Sequence, residues 1–355
     1  MSKRYYLTTN PRLLRTVVAW PLAALLFAGT PVIAQTVEDV SIAGEVILED
    51  RYPVRQIQFA NGVTSYADVV FASRIGYRPL TLDLYVPPQD GATNVAHPLV
   101  VIIHGGGWQS GHTRHSGAFS DWPAALASIA NEGFVVASVE YRLSKEAPFP
   151  AAFDDVRDAI RWLRTNSLAY GIDKNRAVIM GGSAGGQLAG LAGTACGDNA
   201  YPEADSGAPT PPESACVQAV VAWYGIFDFG EIVPVSKGPE GQSVPGVLAT
   251  YLGCGPTHCD ETLVHASSAI SWVDPSDPPF LMIHGVDDPV VAIDQSRKMH
   301  QALKAAGVDS TLIEIPGVKH SFIGATPEAT IEASQRAWDA TIEFIRHVPD
   351  IEVGK

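Results

Sequence analysis

The sequence has few basic residues, few cysteines and, beyond residue 34, no long apolar run. It contains 24 Lys and Arg against 38 Asp and Glu among 355 residues, a formal net charge of −14. General electrostatics therefore disfavour binding to nucleic acid or to an anionic membrane surface. No segment after residue 34 reaches the roughly 20 apolar residues that a membrane-spanning helix needs, so we expect no membrane span in the mature protein. The 46% of hydrophobic residues are enough for a sizeable core.

Residues 1–34 have the layout of a secretory signal peptide. Four basic residues precede an apolar run over 16–28, and Val32-Ile33-Ala34 has the small-residue pattern of a cleavage site. A membrane anchor is the alternative, but the run is too short to span a bilayer and the segment contains Pro21. We therefore predict a secreted or periplasmic protein whose mature chain, residues 35–355, forms one domain.

The chain contains four cysteines: Cys196, Cys216, Cys254 and Cys259. An even number in an exported chain favours disulfides. Three pairings are possible, and we favour Cys196–Cys216 with Cys254–Cys259 because each pair closes a local loop. A metal site is the alternative, since His258 precedes Cys259, but this spacing is not a known zinc arrangement. We predict two disulfides, no metal and no cofactor.

Short apolar runs alternate with stretches of helical spacing along the chain. Strands are predicted at 64–72, 79–86, 98–103, 134–140, 177–180, 217–223, 279–283 and 310–315, and helices at 118–131, 151–166, 184–195, 292–306 and 328–346. The alternation indicates an α/β fold with a mostly parallel central sheet and helices on both faces, so functional residues should follow the carboxyl ends of strands. Residues 35–60 show no clear pattern, and 197–214 forms a polar excursion. Residues 224–269 interrupt the alternation and are predicted to cover the site as an inserted lid.

The segment Gly181-Gly182-Ser183-Ala184-Gly185 follows the predicted strand at 177–180 and opens a helix. This is the setting of a nucleophile elbow, a turn so tight that small residues must flank the serine. A glycine-rich packing turn is the alternative, because the five-residue pattern often occurs by chance. In its strand–turn–helix setting the pattern predicts Ser183 as a nucleophile.

The motif HGGGW at residues 104–108 directly follows the predicted strand at 98–103. Glycines let backbone N–H groups approach a substrate oxygen. We therefore predict an oxyanion hole formed by the amides of Gly106 and Gly107 together with the amide of Ala184. A phosphate-binding loop is disfavoured, because the lysine and hydroxyl residue typical of such a loop do not follow.

An acid and a base should complete the site. The predicted strand at 279–283 leads into Asp287 and Asp288, and either could orient a base. Triad partners on this kind of fold follow the order Ser, Asp, His along the chain, which leaves His300, His320 and His347 as candidate bases. His300 falls inside a predicted helix and His347 trails the last one, whereas His320 lies in a loop between a strand and a helix. We therefore predict His320 as the base.

Together these residues resemble the hormone-sensitive-lipase-like esterases of the α/β-hydrolase fold, including the branch with carbohydrate-acetyl and feruloyl esterases. The likeness runs from about Thr81 to the last helix, and its landmarks are residues 104–107, Tyr141-Arg142-Leu143, residues 148–151 with Asp154, residues 181–186, His284-Gly285, Asp288-Pro289 and His320. In that family the acid is the aspartate directly before the proline. The resemblance therefore implies Asp288 in preference to Asp287.

The chain departs from the lipase-like branch at two points. That branch commonly has an acidic residue before the nucleophile, where this chain has Gly182, which is closer to the carbohydrate-esterase branch. The chain also lacks an extended N-terminal helical cap, so pocket shape should depend on residues 224–269. Trp108, Trp223 and Tyr224 are candidate pocket-lining aromatics, with core packing as the alternative for each.

The resemblance implies a serine carboxylesterase that hydrolyses small or carbohydrate-linked carboxylic esters through an acyl-enzyme intermediate. A serine peptidase or amidase of the same fold is one alternative, although the prolyl-oligopeptidase group usually carries a large propeller for which this chain has no room. A catalytically inactive ligand-binding relative is another, disfavoured because all three triad positions are filled. The acyl group, the alcohol and the oligomeric state are left open.

Overall fold

The structure, a computed structural model, describes residues 55–348 except residue 75 and the ranges 89–94, 197–212 and 235–243. The predicted signal peptide at 1–34 lies outside the described residues, as do most of the polar excursion and part of the predicted lid. No helix in the described ranges is long and apolar enough to cross a membrane.

Nine strands in the described part of the chain form one sheet in the order β1-β2-β3-β5-β4-β6-β7-β8-β9. They are β1 (Arg55–Gln58), β2 (Thr64–Ala72), β3 (Leu80–Val86), β4 (His97–Ile103), β5 (Val135–Val139), β6 (Ile172–Gly182), β7 (Ala219–Trp223), β8 (Phe280–Gly285) and β9 (Ser310–Ile315). The pairs β1–β2, β2–β3 and β3–β5 are antiparallel, and all pairs from β5 to β9 across the sheet are parallel. The predicted mostly parallel sheet is confirmed.

Helices connect the strands and cover the sheet. They are α1 (Trp122–Asn131), α2 (Ala151–Thr165), α3 (Ser167–Tyr170), α4 (Ala184–Thr194), α5 (Gly246–Leu252), α6 (Glu261–Ser267), α7 (Asp294–Ala306) and α8 (Pro327–His347). Short 3-10 turns span Phe229–Glu231, Ala269–Trp272 and His320–Phe322. The predicted lid therefore contains α5 and α6.

The sheet separates two apolar cores, and its central strand contributes to both. In β4, Leu99, Val101 and Ile103 pack into the core beneath α2, α4 and α7. Val100 and Ile102 point to the opposite core, which is closed by α1 and α8. Because every side chain of this strand after its first is buried, its sequence is a continuous apolar run without alternation.

Three elements differ from their predicted bounds for identifiable reasons. The sequence does not reveal strand β1, because all four of its side chains are exposed and carry no apolar pattern; its backbone pairs with β2. Helix α1 begins at Trp122, not at 118, because the Asp121 side chain accepts from the Ala124 amide and caps it. Strand β6 begins earlier than predicted, because its residues 173–176 are polar and only partly buried or exposed and so carry no strand pattern.

Candidate active site

Ser183 lies at the turn between β6 and α4 in a strained backbone conformation, with φ 57° and ψ −121°. Glycine is required around it. A methyl group on Gly181 would lie 2.4 Å from the carbonyl carbon of Gly185, and one on Gly185 would lie 2.1 Å from the Ile103 carbonyl oxygen. The Ser183 amide donates to the Trp223 carbonyl at 2.9 Å, which fixes the turn against β7.

The structure brings Ser183, His320 and Asp288 together in one hydrogen-bonded chain. The Ser183 Oγ lies 2.9 Å from His320 Nε2, and His320 Nδ1 lies 2.7 Å from Asp288 Oδ2. Because Nδ1 faces a carboxylate, it carries the ring proton, and Nε2 is left to accept the hydroxyl hydrogen. An imidazole in this state can take the Ser183 proton during attack on a carbonyl carbon.

The Asp288 carboxylate is buried and surrounded by donors. Its Oδ1 accepts from the amides of Val290 at 2.8 Å and Val291 at 3.0 Å, and its Oδ2 lies 3.3 Å from Nε2 of the buried His284. Burial raises the pKa of Asp288, but the hydrogen bonds from His284, His320 and the two amides outweigh it and hold the pKa well below its usual range. The neighbouring Asp287 is exposed, so Asp288 alone of the two candidates contacts His320.

The glycine-rich loop lies beside Ser183, as its predicted role requires. Gly106 has φ +113° and Gly107 has φ +59°, and a methyl group on Gly106 would lie 2.1 Å from the Ser110 carbonyl oxygen. Within the described residues, the amides of Gly106 and Gly107 donate to no protein acceptor. Ala184 is the first residue of α4. These three amides are therefore available to a substrate oxygen, and their role as an oxyanion hole stays a prediction.

His104 holds this loop from beneath. Its ring is buried, stacks on the Tyr141 ring with centroids 4.3 Å apart, and places Nδ1 2.8 Å from the Gly105 carbonyl. Burial lowers the pKa of His104 to about 4. The ring is therefore neutral near pH 7 and cannot be reached by a substrate.

A cavity of about 590 Å³ opens over Ser183 and His320. Apolar residues from the predicted lid and from the segment after Asp288 line much of it: Ile226, Ile232, Pro245, Val247, Leu248, Val290 and Val291. The loop that follows the glycine motif adds the polar residues Ser110, His115 and Ser116. One site thus combines an apolar wall with a polar one.

The three candidate aromatics divide between cavity and core. Trp108 and Tyr224 line the cavity, although both are largely buried. The Tyr224 ring packs edge-on against the His320 imidazole at 4.8 Å. The pocket-lining interpretation of Trp223 is wrong: its side chain points from the end of β7 into the core beneath α8, where its indole N–H donates to Thr341 Oγ1 at 3.1 Å.

A buried glutamine that the sequence reasoning missed joins the glycine loop to the predicted lid. Gln187 Oε1 accepts from Trp108 Nε1 at 3.1 Å and from Tyr251 Oη at 3.0 Å, and Gln187 Nε2 donates to the Ser267 carbonyl at 2.9 Å. The Trp108 and Tyr251 rings stack 4.0 Å apart. A lone glutamine in a helix rich in small residues gives no sequence signal of this role.

Two disulfides join the same cysteine pairs that the sequence favours. Cys196 is bonded to Cys216, and Cys254 is bonded to Cys259. The second pair lies in the connection between α5 and α6, and α5 carries the cavity-lining residues Val247 and Leu248.

The chain is similar to a family model, to curated esterases and to the structure of a carbohydrate esterase. The BD-FAE family model matches residues 82–303. Esterase LipC of Mycobacterium tuberculosis is 31% identical over 63% of this chain and 53% of its own, and ethyl acetate hydrolase of Pseudomonas putida is 30% identical over 72% and 75%. A truncated form of carbohydrate esterase from gut microbiota has a TM-score of 0.62 at 26% identity, over 81% of this chain and 99% of that one. The chain spans about half the length of several curated relatives. The predicted α/β-hydrolase fold is confirmed.

Proposed function

The chain belongs to the BD-FAE family, and we propose that it is a serine carboxylesterase with Ser183 as nucleophile, His320 as general base and Asp288 as the residue that orients the base. The observation that carries this proposal is the hydrogen-bonded chain from Ser183 Oγ through both nitrogens of His320 to Asp288 Oδ2. The names of its relatives, which include esterases and carboxylic ester hydrolases, support the same reaction.

In the proposed mechanism His320 Nε2 takes the Ser183 proton as the hydroxyl oxygen attacks the ester carbonyl. The buried Asp288 carboxylate stabilises the imidazolium that forms. The amides of Gly106, Gly107 and Ala184 bind the oxyanion, and one such donor contributes roughly 3 kcal/mol to the transition state. His320 returns its proton to the leaving alcohol, and water activated by the same imidazole then releases the acyl group.

The proposed substrates are small or carbohydrate-linked carboxylic esters. A cavity of about 590 Å³ falls in the range of about 300–1,000 Å³ typical of small-molecule sites. Its apolar wall suits an acyl group, and the serines and histidine of its polar wall suit a hydroxylated alcohol. A carbohydrate esterase among the neighbouring structures supports this choice.

A secreted or periplasmic location is part of the proposal. It is supported by the layout of residues 1–34 and by the two disulfides, which persist in oxidising compartments. Residues 224–269 are proposed to set substrate specificity as a lid, since α5 and the segments beside it line the cavity.

The decisive test is Ser183→Ala, assayed with p-nitrophenyl acetate. We expect kcat to fall by about 10⁶, the scale seen when a serine nucleophile is deleted, and labelling by a fluorophosphonate probe to be lost. Ser128→Ala, at an exposed serine of α1, is the matched control and should keep full activity. A Ser183→Ala enzyme with a tenth of the original turnover would exclude Ser183 as nucleophile.

A substrate panel tests the finer proposal. Esters of increasing acyl length, acetylated sugars and feruloylated sugars should be hydrolysed faster than an aminoacyl-proline amide. Faster cleavage of the amide would instead identify a peptidase or amidase of the same fold.

A further inference from the structure

A second serine–histidine pair lies on the far side of the Asp288 carboxylate. His284 Nε2 is 3.3 Å from Asp288 Oδ2, and His284 Nδ1 is 2.7 Å from Ser296 Oγ. The two pairs meet at the same carboxylate oxygen, because His320 Nδ1 is also bound to Oδ2. The result is an unbroken chain from Ser183 through His320, Asp288 and His284 to Ser296.

The hydrogen-bond partners of His284 determine which of its ring nitrogens carries the hydrogen. Its side chain and that of Ser296 are fully buried. Its Nε2 faces the Asp288 carboxylate and also the Val291 carbonyl at 3.0 Å. Both partners can only accept, so Nε2 carries the proton. In the neutral ring Nδ1 then accepts from the Ser296 hydroxyl, which fixes this tautomer.

We propose that His284 and Ser296 are positioning residues of the esterase reaction: Ser296 orients His284, and His284 acts on His320 through the Asp288 carboxylate that the two histidines share. The inference rests on the proposed function. Ser296 holds the Nε2–H tautomer of His284, and this N–H is shared between the Val291 carbonyl at 3.0 Å and Asp288 Oδ2 at 3.3 Å. This second donor orients the carboxylate and also takes part of the negative charge that would otherwise face His320. Asp288 therefore stabilises the imidazolium form of His320 less than it would if His284 were absent.

Other titratable groups lie near these residues and are unchanged in the variants tested. Tyr224, from the segment after β7, packs on His320. Glu314 on β9 interacts electrostatically with His284 and is itself paired with Arg297 of α7. None of them contacts the Asp288 carboxylate through a hydrogen bond.

The primary test is His284→Leu, measured as kcat, KM and the pH profile of kcat/KM on p-nitrophenyl acetate. We expect kcat at the plateau to fall about 10- to 100-fold, and KM to change less than threefold. A loss of this size is typical when the hydrogen-bond partner that orients a metal-binding residue is removed, and His284 has the corresponding position behind Asp288. Activity needs neutral His320, so greater stabilisation of its charged form should move the acid limb upward by about one pH unit, a tenfold shift in protonation.

The chain offers a matched control and a rescue. His300 Nδ1 lies 2.9 Å from Ser310 Oγ, a histidine–serine pair between α7 and β9 that does not touch the triad. His300→Leu should leave kcat and the acid limb unchanged. His284→Gln places an amide N–H where Nε2–H was and should restore most of kcat, and Ser296→Ala should lower kcat less than His284→Leu does.

Folding and function are checked separately. Thermal unfolding identifies a variant that fails to fold. If His284→Leu does not fold, kcat and the acid limb are measured on Ser296→Ala instead. An unmoved acid limb in variants that fold, or an equal loss of kcat in His284→Leu and His300→Leu, would overturn the positioning role while leaving the esterase proposal intact. Failure of the proposed function would appear differently, as a wild-type protein without serine-dependent ester hydrolysis.

Discussion

Replacing Gly182 with alanine should damage the site by displacing Tyr224. A methyl group on Gly182 would lie 2.9 Å from Tyr224 Oη and 3.1 Å from two ring carbons. Favourable contacts between carbon atoms begin at about 3.5 Å, so the phenol would have to move by about 0.5 Å. The ring is buried and lies against the His320 imidazole, and its displacement should therefore move the proposed base.

The size of the effect follows from this geometry. Overpacking a well-packed site costs about 1–3 kcal/mol of unfolding free energy. A misplacement of about 1 Å in a reacting group lowers rates by roughly 100-fold. A shift of about half that distance should reduce kcat about 10-fold.

A double-mutant cycle measures the coupling. We would determine kcat and the urea unfolding free energy for the wild type, Gly182→Ala, Tyr224→Leu and the double variant. In the Tyr224→Leu background the added methyl group has space, so it should cost much less. Gly246→Ala is the matched control, because nothing lies within 4 Å of its added methyl group. Equal costs in both backgrounds would refute the steric explanation.

Two further predictions concern buried polar groups. The pKa of His104 is lowered to about 4, so the unfolded chain takes up a proton that the folded one does not as pH falls from about 6.5. The free energy of unfolding should therefore decrease between pH 7 and pH 4.5, and this decrease should be smaller in His104→Phe than in the wild type by roughly 2–3 kcal/mol. An equal decrease in both proteins would contradict this prediction. Gln187→Leu leaves the Trp108 indole and the Ser267 carbonyl without this partner and should lower the free energy of urea unfolding by about 2–6 kcal/mol. Gln335→Leu, at an exposed position of α8, is the control and should cost under about 0.5 kcal/mol.

The parallel half of the sheet could be predicted from sequence because its strands are buried on both faces. Strand β4 is apolar after its first residue, and strands of this kind are separated by helices of recognisable period. Strand β1 could not be found, since its exposed side chains carry no pattern. Its position depends on backbone pairing to β2, which leaves no trace in residue type.

The candidate triad could be predicted because each member follows a strand end, in an order that the fold prescribes. The position of Trp223 could not, because β7 is buried on both faces and an apolar run does not reveal which face each residue takes. The sequence also does not predict the contact of His284 with Asp288, because it depends on the direction of a side chain at the end of β8. The second partner of His284, Ser296, lies on a helix twelve positions further along the chain.

The contacts of Gln187 with Trp108 and Tyr251 constrain how new specificities can be built on this scaffold. Residues 224–269 cannot be exchanged independently of the rest of the site. Tyr251 in this segment and Trp108, beside the predicted oxyanion hole, both donate to the side-chain oxygen of Gln187. A chimaera that exchanges this segment for that of a relative would have to carry compatible residues at positions 108 and 187 as well. We therefore expect the substrate range to change more easily through single substitutions at Ile232 or Val247, which line the cavity and do not contact Gln187, than through exchange of the whole segment.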